Sequence, residues 1–148
     1  MRAVRAMLSM GVLALAACSL AGCGASERDQ VQAKVNQFAT ASAAKDYKTI
    51  CGQVLAPVLL ARFPQVGITC EHALHISLGA VQNPTLSIGR ITVNGDHAAA
   101  ITLTSARKQQ GSLDAIELIK TSRGWRISSL ASPVPAGASR SKSTGPSK

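Results

Sequence analysis

Glutamate and histidine side chains cluster near the start of one predicted helix. Glu71 and His75 are four residues apart and would share a helix face, where a carboxylate and an imidazole could exchange a proton. His72 and His75 could also supply two metal ligands. Glu71 and His72 are adjacent, however, and point about 100° apart on a helix. We therefore interpret the cluster as a solvated helix surface and predict no metal site.

Two carboxylates in a predicted strand are the second candidate for acid–base chemistry. Asp114 and Glu117 are three residues apart and would face opposite sides of a strand, which argues against a paired-carboxylate site. Glu117 shares its face with three apolar residues. If that face points inward, Glu117 is the best single candidate for a pocket acid. The opposite face, with Ile116 and Leu118, is equally apolar, so the choice of face stays open.

Two aromatic residues could border a ligand pocket. Tyr47 is the only tyrosine and could donate to an oxyanion, and Trp125 is the only tryptophan and could line a cavity. Packed aromatic side chains are the simpler interpretation of both. The sequence has no Ser-His-Asp pattern, no phosphate-binding glycine loop and no CxxC. We predict no catalytic residue and no cofactor.

The whole chain has a formal net charge of +9, and basic residues are frequent in its second half. They could form one basic patch for phospholipid headgroups or an acidic wall polymer, although most such charges are merely a solvated face. The candidates are Arg90, Arg107, Lys108, Lys120, Arg123 and Arg126.

The N-terminal segment has a basic start, an apolar run from Ala6 to Ala21 and the residues Leu20-Ala21-Gly22-Cys23. This pattern resembles the lipobox of bacterial lipoproteins. The resemblance implies that residues 1–22 are a signal peptide and that Cys23 becomes the acylated first residue. Leu15-Ala16-Ala17-Cys18 also fits the box, but Gly before Cys is the commoner form in that family, which favours Cys23. An unprocessed membrane helix is the alternative.

The lipobox resemblance implies a location on the outer face of the cytoplasmic membrane. Two acyl chains suffice for stable anchoring. Removing residues 1–22 from the 148-residue chain leaves 126 residues, about one domain, with a net charge of +7 because Arg2 and Arg5 leave. Export argues against nucleic acid as a partner, and leaves the membrane, another envelope protein or an apolar small molecule.

If Cys18 leaves with the signal peptide and Cys23 is acylated, two of the four cysteines remain, Cys51 and Cys70. They would lie in a compartment that permits disulfides. We predict that they bond. Two buried free thiols are the alternative.

Helix signals occupy the first half of the processed chain. Ser26 and Asp29 form a capping-box pattern, which predicts a helix over about residues 27–44 after a short linker, residues 23–26. Asp46 can cap a second helix, which carries Cys51, and a further helical segment follows at residues 57–63. Thr69 caps a third, over about residues 70–79.

Strand signals follow Asn83-Pro84. A first strand over residues 86–93 changes its apolar phase near Gly89-Arg90, which predicts a bulge. Asn94-Gly95 predicts a hairpin with a type I′ turn. Three more strands are predicted over residues 97–105, 113–121 and 125–130. The composition then shifts to Pro, Gly, Ser and Lys, so we predict a disordered tail over residues 132–148.

Helices followed by an antiparallel meander of about four strands predict an α+β domain over residues 27–131. It resembles the nuclear-transport-factor-two-like (cystatin-like cone) superfamily, through Ala43-Ala44-Lys45-Asp46-Tyr47, the Cys51 and Cys70 pair and Gly124-Trp125-Arg126-Ile127, a combination found in exported actinobacterial members. That fold often encloses a conical pocket between helices and a curved sheet.

The resemblance does not decide the function, because members include enzymes and binding proteins. Our first hypothesis is a lipid-anchored, non-enzymatic binding or accessory protein. The alternatives are a small pocket enzyme of the ketosteroid isomerase or polyketide cyclase type, and a membrane-surface structural protein that acts through the basic patch.

Overall fold

The computed structural model describes residues 25–133, with side chains to Leu130. The predicted signal peptide, both candidate acylation sites and residues 134–148 of the predicted tail lie outside this range. Residues 132 and 133, which were predicted to begin that tail, belong to the last strand instead. Within the described range, four helices precede four strands, in the predicted order. The helices are α1 (Glu27–Ala43), α2 (Tyr47–Thr49), α3 (Pro57–Leu60) and α4 (Cys70–Leu78).

The predicted capping box begins α1. The Ser26 Oγ accepts a hydrogen bond from the Asp29 backbone N–H at 3.2 Å, and the Asp29 carboxylate accepts one from the Ser26 N–H at 3.2 Å. Val31 and Val35, one turn apart, are fully buried on the inward face. The helix ends at Ala43, because Lys45 turns the chain with a positive φ of 55°.

The second predicted helix changes type along its length. Asp46 caps it as predicted, since its carboxylate accepts from the Thr49 N–H at 3.0 Å. After α2 the chain continues as a π-helical turn over Ile50–Val54, which the sequence did not predict. This wider turn places Ile50 and Val54 inward, and both are fully buried.

The remaining helical segments are shorter than predicted. Helix α3 begins with Pro57 at its first turn, and Pro64 opens a 3₁₀ turn, Pro64–Val66. Thr69 caps α4 as predicted, with its hydroxyl accepting from the His72 N–H at 3.2 Å. The predicted disulfide is confirmed: Cys51 in the π-helical turn is bonded to Cys70, with Cα atoms 6.1 Å apart.

The four strands form one antiparallel meander in the order β1-β2-β3-β4, as predicted. They are β1 (Thr85–Asn94), β2 (His97–Ala106), β3 (Gln109–Thr121) and β4 (Gly124–Pro133). The register of β1 shifts between Ile88 and Arg90, which confirms the predicted bulge. Strand β4 continues three residues beyond the predicted end at Leu130.

The predicted hairpin forms, but its turn type was wrong. Asn94 pairs with His97, so the two central residues are Gly95 and Asp96 instead of Asn94 and Gly95. Of these two, only Gly95 has a positive φ, at 57°. A type II′ turn needs positive φ at its first central residue alone, and this turn meets that requirement.

The core lies between the helices and the concave face of the sheet. Alternate residues of β2 and β3 point to it, and the fully buried β4 residue Ile127 accepts a backbone bond from Ala56 at 2.7 Å, which ties the helical half to the sheet. Large buried side chains fill this layer: Ile50, Leu55, Leu118, Trp125 and Ile127.

The two ends of the sheet differ. The β1–β2 and β3–β4 turns lie at the end where α1 begins, and Glu27 at its start contacts Lys120 and Trp125 there. The β2–β3 turn lies at the other end, beyond strands of about ten residues, or roughly 30 Å. We call these the α1-start end and the open end.

Candidate functional site

A cavity of about 280 Å³ lies at the open end, between the C-terminal half of α1 and the concave face of the sheet. Phe38, Leu78 and Leu86 are the largest apolar side chains in its lining. Hydroxyl and amide side chains from β2 and β3 complete the lining: Thr104, Ser105, Gln109, Gln110 and Ser112. Among the described residues, none that lines it carries an ionisable side chain.

Side-chain size along α1 explains why the cavity is there. Val31 and Val35 fill the concave face near the α1-start end and are fully buried. One and two turns later, the corresponding face carries Ala39 and Ser42, which are too small to reach the sheet. The sheet and α1 are held together at one end and leave a space at the other.

Ser42 belongs to the lining, but its hydroxyl does not face the cavity. The hydroxyl is buried and has no hydrogen-bond partner among the described residues. The polar groups of the cavity are therefore those of β2 and β3.

The carboxylate beside the cavity is Asp114, which the sequence analysis did not select. Asp114 lies opposite Thr102, whose side chain is fully buried on the concave face. Its two oxygens accept hydrogen bonds from Thr104 Oγ1 at 2.8 Å and Ser112 Oγ at 2.9 Å. Both hydroxyls line the cavity, so this carboxylate sits directly behind the polar part of the lining.

Glu117, proposed as the pocket acid, lies on the other face. Ile116 and Leu118 point to the core and are 3% and 1% exposed, so strand alternation sends Glu117 to the outer surface. There it borders a shallow depression with His97, which is exposed. The sequence left the choice between two equally apolar faces open. The face of Glu117 does not point inward, so the condition for its being a pocket acid is not met.

The two aromatic candidates are packed side chains and do not line the cavity. Trp125 is buried, and its indole N–H donates to Glu27 Oε2 at 2.7 Å. Tyr47 is half-buried and meets the ring of His75 edge-on, with ring centroids 6.0 Å apart. The Tyr47 hydroxyl is buried without a partner among the described residues.

The α4 cluster is on the surface. Glu71, His72 and His75 are all exposed, as predicted. No group of three or more potential metal ligands occurs in the part of the chain that the structure describes. In the same part, no helix combines the length and the apolarity that a membrane span requires.

The structure separates the residues of the predicted basic patch. Arg90 is on β1 and Arg126 on β4, and these are opposite edges of the sheet. The Arg126 guanidinium donates to the Gly52 carbonyl at 3.1 Å. Lys120 and Arg123 lie at the α1-start end, whereas Arg107 and Lys108 form the turn at the open end. These six residues therefore do not form the single basic patch that the sequence allowed as an alternative to a solvated face.

A second, more open depression of about 380 Å³ adjoins the cavity. The two share Val81 and Pro84 as a common wall. This outer depression carries two cationic side chains, Lys45 and Arg107, which the cavity itself lacks.

Comparison with known proteins identifies the fold. No protein-family model and no curated protein matches the chain. Its structure is similar to that of a Streptomyces avermitilis protein of the NTF2-like (nuclear-transport-factor-two-like) family, provisionally named a dehydratase. The TM-score is 0.53 at 17% sequence identity, over 74% of this chain and 97% of that one. The NTF2-like α+β fold is thereby shown, and at this identity the likeness concerns the fold alone.

Two further solved structures are similar at lower scores. An NTF2-like protein of unknown function from Shewanella baltica has a TM-score of 0.48 at 13% identity, over 73% of this chain and 95% of that one. A protein from Novosphingobium aromaticivorans, provisionally named an aromatic ring hydroxylase, has a TM-score of 0.48 at 13% identity, over 76% and 96%.

Proposed function

We propose that this protein is a lipid-anchored, extracytoplasmic binding protein without enzymatic activity, and that its cavity holds an apolar small molecule. The anchoring rests on the lipobox-like residues before Cys23, which place the acylated residue two positions before Ala25. The binding rests on one observation. The cavity at the open end is largely apolar, and its described lining supplies hydroxyls and amides but no charge.

The lining determines which ligand fits. Burial of apolar ligand surface against Phe38, Leu78 and Leu86 is favourable by roughly 25 cal/mol per Å². A few polar groups, such as the Ser112 hydroxyl and the Gln110 amide, then set the orientation. At about 280 Å³ the cavity is slightly smaller than the roughly 300–1,000 Å³ usual for ligand sites, which fits a short, single-chain molecule.

A larger side chain on α1 tests this function by filling the cavity. Ala39→Leu would occupy space next to Phe38, whereas Ala33→Leu places the same side chain on an exposed position of the same helix. The full-length protein, in phosphatidylcholine nanodiscs, is irradiated with a ten-carbon alcohol that carries a diazirine, and labelled peptides are identified by mass spectrometry. We expect wild type and Ala33→Leu to be labelled at α1 and β2 residues of the cavity and Ala39→Leu to lose that labelling. Equal labelling of all three would refute the proposed function.

A second candidate function, a small pocket enzyme, is favoured by Asp114. A carboxylate held by two hydroxyls of the lining could accept a proton from a bound molecule through one of them. The two functions differ in one measurable result. A molecule recovered from the cavity is incubated with the wild type and with Asp114→Asn. If the protein is an enzyme, the wild type converts the molecule chemically and Asp114→Asn does not. If the protein only binds, neither changes the molecule.

A further inference from the structure

Two cations lie next to the apolar cavity and lack acidic partners. Lys45 and Arg107 line the outer depression that shares Val81 and Pro84 with the cavity. The only ion pair in the described part of the chain is Glu27–Lys120, at the opposite end of the sheet. All seven acidic side chains of the protein lie within the described residues, so no other side chain of this protein is left to neutralise these cations.

Both side chains have hydrogen-bond donors left over that an anion could use. The Lys45 ammonium donates to the Gly79 carbonyl, which fixes the side chain at the wall and leaves two of its three N–H donors. Arg107 is held through its backbone, whose N–H donates to the Gln82 carbonyl at 2.8 Å. Its guanidinium makes no hydrogen bond to any described residue, so the planar fork is available to a carboxylate or phosphate.

We propose that the ligand is a single-chain amphiphile with an anionic head, such as a carboxylate or a monophosphate. Its apolar chain occupies the cavity and its head binds Lys45 and Arg107 across Val81 and Pro84. This inference rests on the proposed binding function and adds the chemical class of the ligand. Asp114 is held behind the cavity, where its oxygens accept hydrogen bonds from the lining residues Thr104 and Ser112.

The test compares an anionic and a neutral probe of equal length. Full-length protein in phosphatidylcholine nanodiscs is labelled with a diazirine-bearing decanoate and, separately, with the corresponding alcohol. The variants are Lys45→Gln and Arg107→Gln, with Arg107→Lys to retain the charge and Arg90→Gln, on the edge strand β1 and outside both depressions, as the matched control.

We expect decanoate labelling of the cavity to fall by about fivefold for each charge removed, because exposed ion pairs contribute modestly to binding. Alcohol labelling should stay unchanged. Arg107→Lys should retain more decanoate labelling than Arg107→Gln because it keeps the charge, and Arg90→Gln should behave as wild type. Equal loss of both probes, or decanoate labelling insensitive to both charge variants, would overturn the anionic-head assignment. Absence of alcohol labelling in the wild type would instead refute the cavity as a binding site. A third probe, a ten-carbon monophosphate with the same diazirine, distinguishes the two head groups. Labelling of the wild-type cavity by only one of the two anionic probes identifies the head group that binds.

Discussion

At the scale of single residues, Glu27 joins the start of α1 to the sheet. Its carboxylate accepts the Trp125 indole N–H at 2.7 Å and pairs with Lys120 at 2.6 Å. The partners are 98 and 93 residues away in sequence. No local pattern predicts such contacts, and the sequence analysis assigned no role to Glu27. Ser26 and Asp29 are different, because their capping box is complete within four residues and was predicted.

The Glu27 contacts predict a pH dependence of stability. Hydrogen bonds from Lys120 and Trp125 hold the pKa of Glu27 below its ordinary value. The folded state therefore binds this proton less tightly than the unfolded chain. The carboxylate stabilises the fold above the ordinary Glu value of about 4.3, and this contribution is lost as the pH falls through the lowered pKa.

We expect Glu27→Gln to lower the free energy of unfolding at neutral pH, and the difference from wild type to shrink toward about pH 3. Urea unfolding followed by Trp125 fluorescence at the two pH values measures it. Glu117→Gln is the matched control, since Glu117 is exposed on the outer face and makes no side-chain hydrogen bond in the described part. A wild-type advantage of the same size at both pH values would contradict the prediction.

At the scale of elements, the disulfide links two helical segments that are too short to be stable through helix propensity alone. The π-helical turn has five residues and α4 has nine, whereas isolated helices shorter than about 12–15 residues are marginal in water. Cys51 and Cys70 are 19 residues apart in sequence, so their bond removes freedom from the unfolded loop between them.

Loss of this bond should cost about 3 kcal/mol by the chain-entropy relation for a loop of this length. The measurement is the urea midpoint of oxidised and reduced wild type and of the Cys51→Ser/Cys70→Ser variant. Reduction should shift the wild-type midpoint to that of the double variant and leave the variant itself unchanged. If reduction left the wild-type midpoint unchanged as well, the prediction that the disulfide stabilises the fold would be wrong.

At the scale of the whole molecule, the proposed anchor and the cavity are at opposite ends. Ala25 precedes the capped start of α1, and Cys23 is two residues before it. The cavity begins at Phe38, so about 17 Å of helix separates it from Glu27. A protein acylated at Cys23 would hold its α1-start end toward the bilayer and expose the open end to other envelope molecules.

This orientation predicts which backbone amides approach lipid. In nanodiscs that contain a gadolinium-chelating lipid, the amides of the Gly95 and Arg123 turns should broaden, whereas those of Lys108 and Gln109 should keep their intensity. Spectra with diamagnetic lutetium give the reference intensities. Uniform broadening, or broadening confined to the Lys108 turn, would refute the orientation.

The sequence by itself determined the features that are written locally. The helix caps at Ser26, Asp46 and Thr69, the β1 bulge near Gly89 and the order of helices before strands all follow from residues close together in the chain. The disulfide also followed from the sequence, because only two cysteines remain once the predicted signal peptide and the predicted acylation site are set aside. The turn at Gly95 was right in place and wrong in type, since its register depends on strand pairing.

Only the tertiary structure decided which face of β3 points inward, and with it the site. Both faces of that strand are apolar, so Glu117 and Asp114 could be distinguished only by what the sheet packs against. The cavity exists because Ala39 and Ser42 of α1 lie opposite β2 and β3, more than 60 residues away in sequence. The meeting of Lys45 and Arg107 at one wall has the same cause: contacts between distant segments are fixed by packing, which no local pattern contains.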